Sequence, residues 1–381
     1  MRPVRLPSEL PPPIWVETPE ALGVLLQDLR EQAAFGVDTE SNSLYAYRER
    51  VCLIQFSTAT ADYLLDVLRF PDLHPLAPLF ASAAHQKVFH AAEYDILCLK
   101  RDYGFEFAEI FDTMVAARAL GWQQTGLASV LESCYGVRLT KKFQRANWGQ
   151  RPLPADQVEY ARLDTHYLLS LRDLQIEALT AQGRMEEVHD EFARLVKLES
   201  EPSSQDHNDF WRIKGARDLP PDRAAVLREL HLYRERQAAR ADRPPFKIMG
   251  DQTLIEIVHR LPRTLRGLSH VHGMTSGQIR RFGSGLLEAV QRGIQAPPAR
   301  PPRSERVSFP IRQRYNKLLE WRKEKARARG LESDMILPRE ALWQLARRAP
   351  RTLAELNAME DIGPWRRKAY GEELIHLLND R

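Results

Sequence analysis

Residues 33 to 40 read AAFGVDTE, an apolar run that closes on two acids one residue apart. Alternate residues of a strand share one face, so Asp38 and Glu40 can point into a single site. Further strand-like runs follow at 51–58 (VCLIQFST), 62–67 (DYLLDV) and 87–90 (KVFH), with helical stretches after the last. Three strands close in sequence predict an antiparallel meander, and the later alternation with helices predicts parallel additions to the same mixed sheet. The expected class of this first region is therefore α/β.

Other carboxylates join the first pair. Asp95 falls on the first turns of the helix predicted in HAAEYDILCLKRDYG (90–104), at the edge of the sheet, where it can face a cleft. Tyr160 and Asp164 stand four residues apart in PADQVEYARLDTHYLLSL (154–171), one helical turn apart on the same face. Taken singly, such residues are ordinary turn, cap or surface groups. Gathered together, the carboxylates repel one another and raise each other's pKa values unless cations occupy the site. Hard oxygen ligands select Mg²⁺ or Mn²⁺, and two such ions about 4 Å apart can activate water and stabilise a departing 3′ oxygen. On this reading Asp38 bridges the ions, Glu40 and Asp164 complete the one that holds the water, and Asp95 serves the other. Tyr160 orients the water without acting as a full base, because the metal already acidifies it.

Charge is divided unevenly along the 381 residues. Residues 1–210 hold 20 Lys and Arg against 31 Asp and Glu, and residues 211–381 hold 35 against 20. A basic C-terminal half suits a phosphate backbone, and an acidic half that handles a polyanion needs cations. Cys52, Cys98 and Cys134 are far apart and odd in number, which argues against a zinc knuckle or a disulfide framework. No signal-peptide pattern and no run of about 18 apolar residues is present, so a cytoplasmic protein without membrane association is expected.

Two polar or proline-rich stretches, ESEPSSQDHN (199–208) and IQAPPARPPRSER (294–306), read as extended, solvated linkers. They divide the chain into a catalytic domain (1–195), a linker (196–210), a helical domain (211–293), a proline-rich linker (294–306) and a second helical domain (307–381). The helical domains are copies. A shift of 88 residues, that separating Tyr233 from Trp321, superimposes Ile248 on Ile336, Pro262-Arg263-Thr264-Leu265 on Pro350-Arg351-Thr352-Leu353, and Phe282-Gly283 on Tyr370-Gly371 without a gap.

The segments at 37–57, 88–121 and 158–171 resemble the three exonuclease motifs of the DEDDy family, and RANWGQRPL (145–153) resembles a signature of ribonuclease D and its nuclear exosome relatives. The repeated helical units are similar to HRDC domains, so nearly the whole chain resembles the ribonuclease D family. The resemblance implies an RNase H-like mixed-sheet exonuclease domain followed by two small all-α HRDC domains. It also implies 3′-to-5′ polarity, two divalent metal ions held by Asp38, Glu40, Asp95 and Asp164, RNA as substrate, and trimming of tRNA precursors. Thr39 and His90 flank the metal ligands and are candidates to touch the terminal nucleotide, or to be structural. Lys141, Lys142 and Arg145 suit phosphates, Trp148 and Arg151 either hold substrate or pack the domain, and Asp112 caps a helix. In the repeats, Arg322 and Lys323, with Lys325, Arg327, Arg329 and Arg366-Arg367-Lys368, are candidates for phosphate contact, and Tyr233 and Trp321 for core aromatics. A monomer with no obligate protein partner is expected. The rivals are a DNA exonuclease and a catalytically silent RNA-binding scaffold, but every family carboxylate is present.

Overall fold

The apolar runs form one six-stranded sheet in the computed structural model, which describes residues 10–200, 208–302 and 307–379. Its strands are β1 (Ile14–Val16), β2 (Ala34–Ser41), β3 (Val51–Ser57), β4 (Asp62–Leu65), β5 (Gln86–Phe89) and β6 (Ile110–Asp112), in the spatial order β1-β4-β3-β2-β5-β6. The pairs β2/β3 and β3/β4 are antiparallel, and β5 and β6 add in parallel beside β2. A short parallel strand, β1, joins the far side of β4 and has no counterpart in the sequence reading. β3 is buried along its whole length, as expected of a strand covered on both faces.

Around the sheet lie α1 (Pro19–Glu31), α2 (Ala77–Ala81), α3 (Glu93–Tyr103), α4 (Thr113–Ala119), α5 (Leu127–Tyr135), α6 (Ala155–His166), α7 (Leu168–Ala181) and α8 (Met185–Val196). α1 starts where Thr18 accepts the Ala21 amide ahead of Pro19, and it buries Leu22, Leu25, Leu26 and Leu29 at helical spacing. Those leucines share a core with Phe35, Val37, Ile54 and Phe56. The alternate residues of β2 face the other way. There Gly36 lets α6 and α7 approach closely, since a Cβ on it would stand 3.1 Å from the Thr165 carbonyl oxygen. That approach carries Asp164 over Asp38.

The repeats match helix for helix at the 88-residue shift. The first contains α9 (Pro221–Ala241), α10 (Pro245–Ile248), α11 (Asp251–Arg260), α12 (Leu265–Leu268) and α13 (Ser276–Gln295). The second contains α14 (Phe309–Arg329), α15 (Ser333–Ile336), α16 (Arg339–Arg348), α17 (Leu353–Asn357) and α18 (Pro364–Asn379). Leu261 and Ala349, which end equivalent helices, both take left-handed φ values of 45°.

Two compact units result: the described parts of 1–41, 51–201 and 306–381 form one, and those of 42–50 and 202–305 the other. The second repeat thus shares a unit with the sheet, and its Met335 is buried in the same apolar core as Phe111 and Phe192. Residues 201–207 and 303–306 of the expected linkers lie outside the described residues. The described part of the proline-rich linker is mostly exposed, except that Ala299 is buried against the first repeat and its amide donates to the Pro221 carbonyl at 2.8 Å. Cys52, Cys98 and Cys134 are buried, and no helix among the described residues is long and apolar enough to cross a membrane.

Candidate active site

Asp38 and Glu40 project from the end of β2 on the face covered by α6, and Asp164 descends from α6. Ligand oxygens of these three lie within 4.8 Å of one another. Asp95, buried on the first turn of α3, is fastened to the same strand: its Oδ1 accepts both the Thr39 amide at 3.1 Å and the Thr39 hydroxyl at 2.5 Å. Asp112 positions that turn. It caps α4 by accepting the Met114 and Val115 amides, and it also accepts the amides of Ala91 and Ala92, where the chain passes through a left-handed φ of 66° before α3.

Among the described residues, no Lys or Arg is paired with Asp38, Glu40, Asp95 or Asp164. Burial is the main force pushing their pKa values up. The Asp164 charge adds to the rise at Asp38, those of Asp38, Asp164 and Asp95 at Glu40, and that of Asp38 at Asp95. Asp164 is pushed up to about 7 by burial, against the lowering effect of its hydrogen bond from the Tyr160 hydroxyl. Tyr160 rises well above its ordinary value, through burial first and then through the charges of Asp164, Glu40 and Asp38. It keeps its proton, which it donates to Asp164.

The Tyr160 ring is wedged between Trp148 and Phe143, with centroids 6.0 and 5.9 Å away. Beside it opens a cavity of about 500 Å³ whose wall includes Phe143, Leu163, Tyr160 and Asp164 and whose rim carries Arg138 and Lys142. The lining also includes Asp156 and Glu159, so its rim carries both signs of charge beside an apolar wall that suits a base.

Several candidate substrate contacts turn inward instead. Trp148 is fully buried, and its contribution is to hold Tyr160. Arg151 is spent on structure: it grips buried Asp66 at 2.6 and 2.7 Å and donates to the carbonyls of Trp148, Gln150 and Cys52. Thr39 is committed to Asp95. His90 directs Nδ1 to the Thr113 hydroxyl at 2.8 Å, and burial lowers its pKa. Lys141, Lys142 and Arg145 remain exposed; Lys142 lies 3.6 Å from Asp156, also exposed. In the second repeat Arg322 donates to the Leu337 carbonyl and exposed Lys323 pairs with Glu320. Lys325 forms a partly exposed pair with Glu373, whereas Arg329 grips fully buried Glu187 and Arg366 is itself buried, so the last two are committed within the fold.

Sequence reading missed the buried anchor of α6. Asp62 on β4 accepts the Arg162 guanidinium at 2.8 Å, His166 Nδ1 at 2.9 Å and the Ser57 hydroxyl at 2.7 Å. Burial works to raise its pKa, but the hydrogen bonds from His166, Arg162 and Ser57 hold it below the usual value. Arg162 and His166 sit within two residues of Asp164. Their position on the helix that supplies Asp164 was the available signal.

Acids brought together from a central strand and two helices, in a sequence that continues into two HRDC-like repeats, point to the class of 3′-5′ exonucleases. The chain matches the 3′-5′ exonuclease family over residues 13–175 and the HRDC domain over 223–290 and 312–378. It is 32% identical over 303 residues to ribonuclease D of Acidiphilium cryptum, covering 78% of this chain and 76% of that one. It is 32% identical over 298 residues to the exosome complex exonuclease RRP6 of Saccharomyces cerevisiae, covering 74% of this chain but only 41% of the yeast protein. The crystal structure of Escherichia coli RNase D, an exoribonuclease involved in structured RNA processing, aligns with a TM-score of 0.70 at 25% identity, covering 96% of this chain and 98% of that one. The chain belongs to the ribonuclease D family and is a hydrolytic 3′-5′ exoribonuclease.

Proposed function

We propose that this exoribonuclease works with two divalent cations, Mg²⁺ or Mn²⁺, and trims the 3′ ends of structured RNAs such as tRNA precursors, as a monomer. The observation that carries the reading is the convergence of Asp38, Glu40 and Asp164 within 4.8 Å with no compensating Lys or Arg among the described residues. All the donors are hard carboxylate oxygens, which fit these ions. Asp38, Glu40 and Asp164, with Asp95 beside them, would hold the ions. When bound, the ions acidify the attacking water and stabilise the departing oxygen.

The remaining work falls to the chain's own groups. The Tyr160 phenol donates to Asp164, so its oxygen lone pairs are left to accept a hydrogen bond from the nucleophilic water and aim it at phosphorus. Hydrolysis joins the water oxygen to phosphorus and breaks the bond to the 3′ oxygen of the preceding nucleotide. A nucleoside 5′-monophosphate leaves, and the shortened RNA keeps a 3′ hydroxyl. Phe143 and Leu163 offer the terminal base an apolar wall, and Arg138 and Lys142 flank its phosphate.

The test compares matched single-stranded RNA, single-stranded DNA and a tRNA precursor with a 3′ extension, each with Mg²⁺, Mn²⁺ or chelator. RNA and precursor should be shortened from the 3′ end to monophosphates, and chelator should abolish it. Equal cleavage of DNA, or activity that survives chelation, contradicts this reading.

A further inference from the structure

The shared register of the two repeats makes each departure between them informative. At the start of α13 the first repeat caps itself. The Thr275 side chain accepts the Gln278 amide at 3.2 Å, and the Gln278 side chain accepts the Thr275 amide at 3.0 Å. The equivalent position before α18 is Gly363. Its carbonyl takes the first helical bond from the Arg367 amide at 3.0 Å, just as that of Thr275 takes the bond from Ile279 at 2.9 Å. Gly363 is thus an N-cap residue with no side chain to cap with. The acceptors come from α8 instead: Asp190 Oδ1 accepts the Trp365 amide at 3.3 Å and Oδ2 the Arg366 amide at 3.0 Å. A Cβ on residue 363 would stand 2.2 Å from the Asp190 carboxyl carbon, so the incoming acid requires glycine there.

Neighbouring departures fall on the same surface. Gln278 Nε2 donates to the Ile248 carbonyl, and its counterpart Arg366 makes the equivalent bond from Nε to Ile336. The longer guanidinium then reaches on to Glu191 at 3.4 Å and Asp190 at 4.0 Å. Where the first repeat has Ala241, the second has Arg329, which grips fully buried Glu187 through two bonds of 2.8 and 2.6 Å. Where the first has Phe282, the second has Tyr370, whose hydroxyl accepts from Arg329 at 2.6 Å. Glu187, Asp190 and Glu191 share one face of α8 by helical spacing.

We propose that this face of α8 is a docking site for the N-terminal turn of α18, and that through it the second repeat is a fixed brace of the catalytic domain. The brace reaches the site through one helix. On α8, Arg194 pairs with Glu93 at 3.6 Å and the Val196 carbonyl accepts Lys100 Nζ at 3.0 Å, and both partners lie on α3, which presents Asp95. The role is positioning, and it does not depend on which cations the site uses.

Amide hydrogen exchange on the full chain tests this without reference to activity. Asp190→Ala removes the borrowed cap, and Gly363→Thr restores a self-cap that collides with Asp190. Each should speed exchange across 331–337 and 364–368 by about tenfold or more, whereas Asp173→Ala, at an exposed carboxylate on α7, should leave it unchanged. Because both substitutions break one contact, the double variant should exchange no faster than the faster single one. If Asp190→Ala does not fold, Asp190→Asn, which keeps one acceptor oxygen, should show a smaller acceleration in the same segments. Wild-type exchange in Gly363→Thr or in the Asp190 variant that folds, or independent effects in the double, overturns the proposal.

Discussion

Asp38, Glu40, Asp95 and Asp164 at the end of β2 and Glu187, Asp190 and Glu191 on α8 are both crowded carboxylate groups in one unit of the same chain, yet their surroundings are opposite. On α8 each acid has a guanidinium partner, from Arg329, Arg366 or Arg194, and Asp190 also receives two backbone amides. At the end of β2 the partners are the Thr39 hydroxyl and amide and the Tyr160 hydroxyl, all neutral donors. Burial of acids does not by itself mark a catalytic site. What sets the β2 group apart is burial without a Lys or Arg partner among the described residues, which on the proposed function would leave free energy to be recovered by binding a metal.

The largest effect should come from Asp38→Asn. Loss of this proposed metal ligand should reduce exoribonuclease turnover on the order of 10³-fold, equivalent to about 4 kcal/mol of transition-state stabilisation. The same substitution removes one repelling charge, so the metal-free unfolding temperature should rise. Undiminished turnover, or a metal-free protein that melts earlier, breaks the contrast at its catalytic end. Glu187→Ala probes the other cluster. It leaves Arg329 without its counter-ion and should cost about 3 kcal/mol in urea unfolding, the low end for a broken buried pair because the Arg329 side chain is 24% exposed. A wild-type urea midpoint would show that the α8 pairs contribute nothing to holding the fold.

What could be read in advance follows the range of the interaction. The period of two in AAFGVDTE placed Asp38 and Glu40 together, the period of 3.6 paired Tyr160 with Asp164, and a constant shift of 88 residues aligned the repeats, because each is a local regularity of the chain. Arg151 with Asp66 and Arg366 with Asp190 are 85 and 176 residues apart, and a guanidinium looks the same in sequence whether it meets solvent, phosphate or a buried acid. The basic excess of residues 211–381 therefore overstated the charge available to RNA, since Arg329 and Arg366 are consumed within the fold. β1 was hidden for a different reason: three residues leave too short a pattern to register. The trans cap did leave a trace, in the replacement of Thr275 and Gln278 by Gly363 and Arg366 at equivalent positions.

The smallest effect expected, and the one that reads the contrast most directly, is the dependence of metal stabilisation on pH. Asp164 has a folded pKa near 7, and those of Asp38, Glu40 and Asp95 are also raised, all above the values near 4 of an unfolded chain. Between those values the metal-free native state binds more protons than the unfolded state. Its stability is therefore fullest at low pH and falls as pH rises from about 4 through about 7. A divalent ion competes with those protons, so the rise in unfolding temperature on adding Mg²⁺ should be small at pH 5.5 and larger at pH 8, by about 1–2 kcal/mol in stability. In Glu187→Ala the slope of this dependence should be unchanged, because the arginine-paired acids do not take part. In Asp164→Asn it should flatten, since the group that titrates near neutrality is gone. An Mg²⁺ effect of equal size at both pH values would mean that the acids at the end of β2 are already compensated, and the distinction between the two clusters would fail.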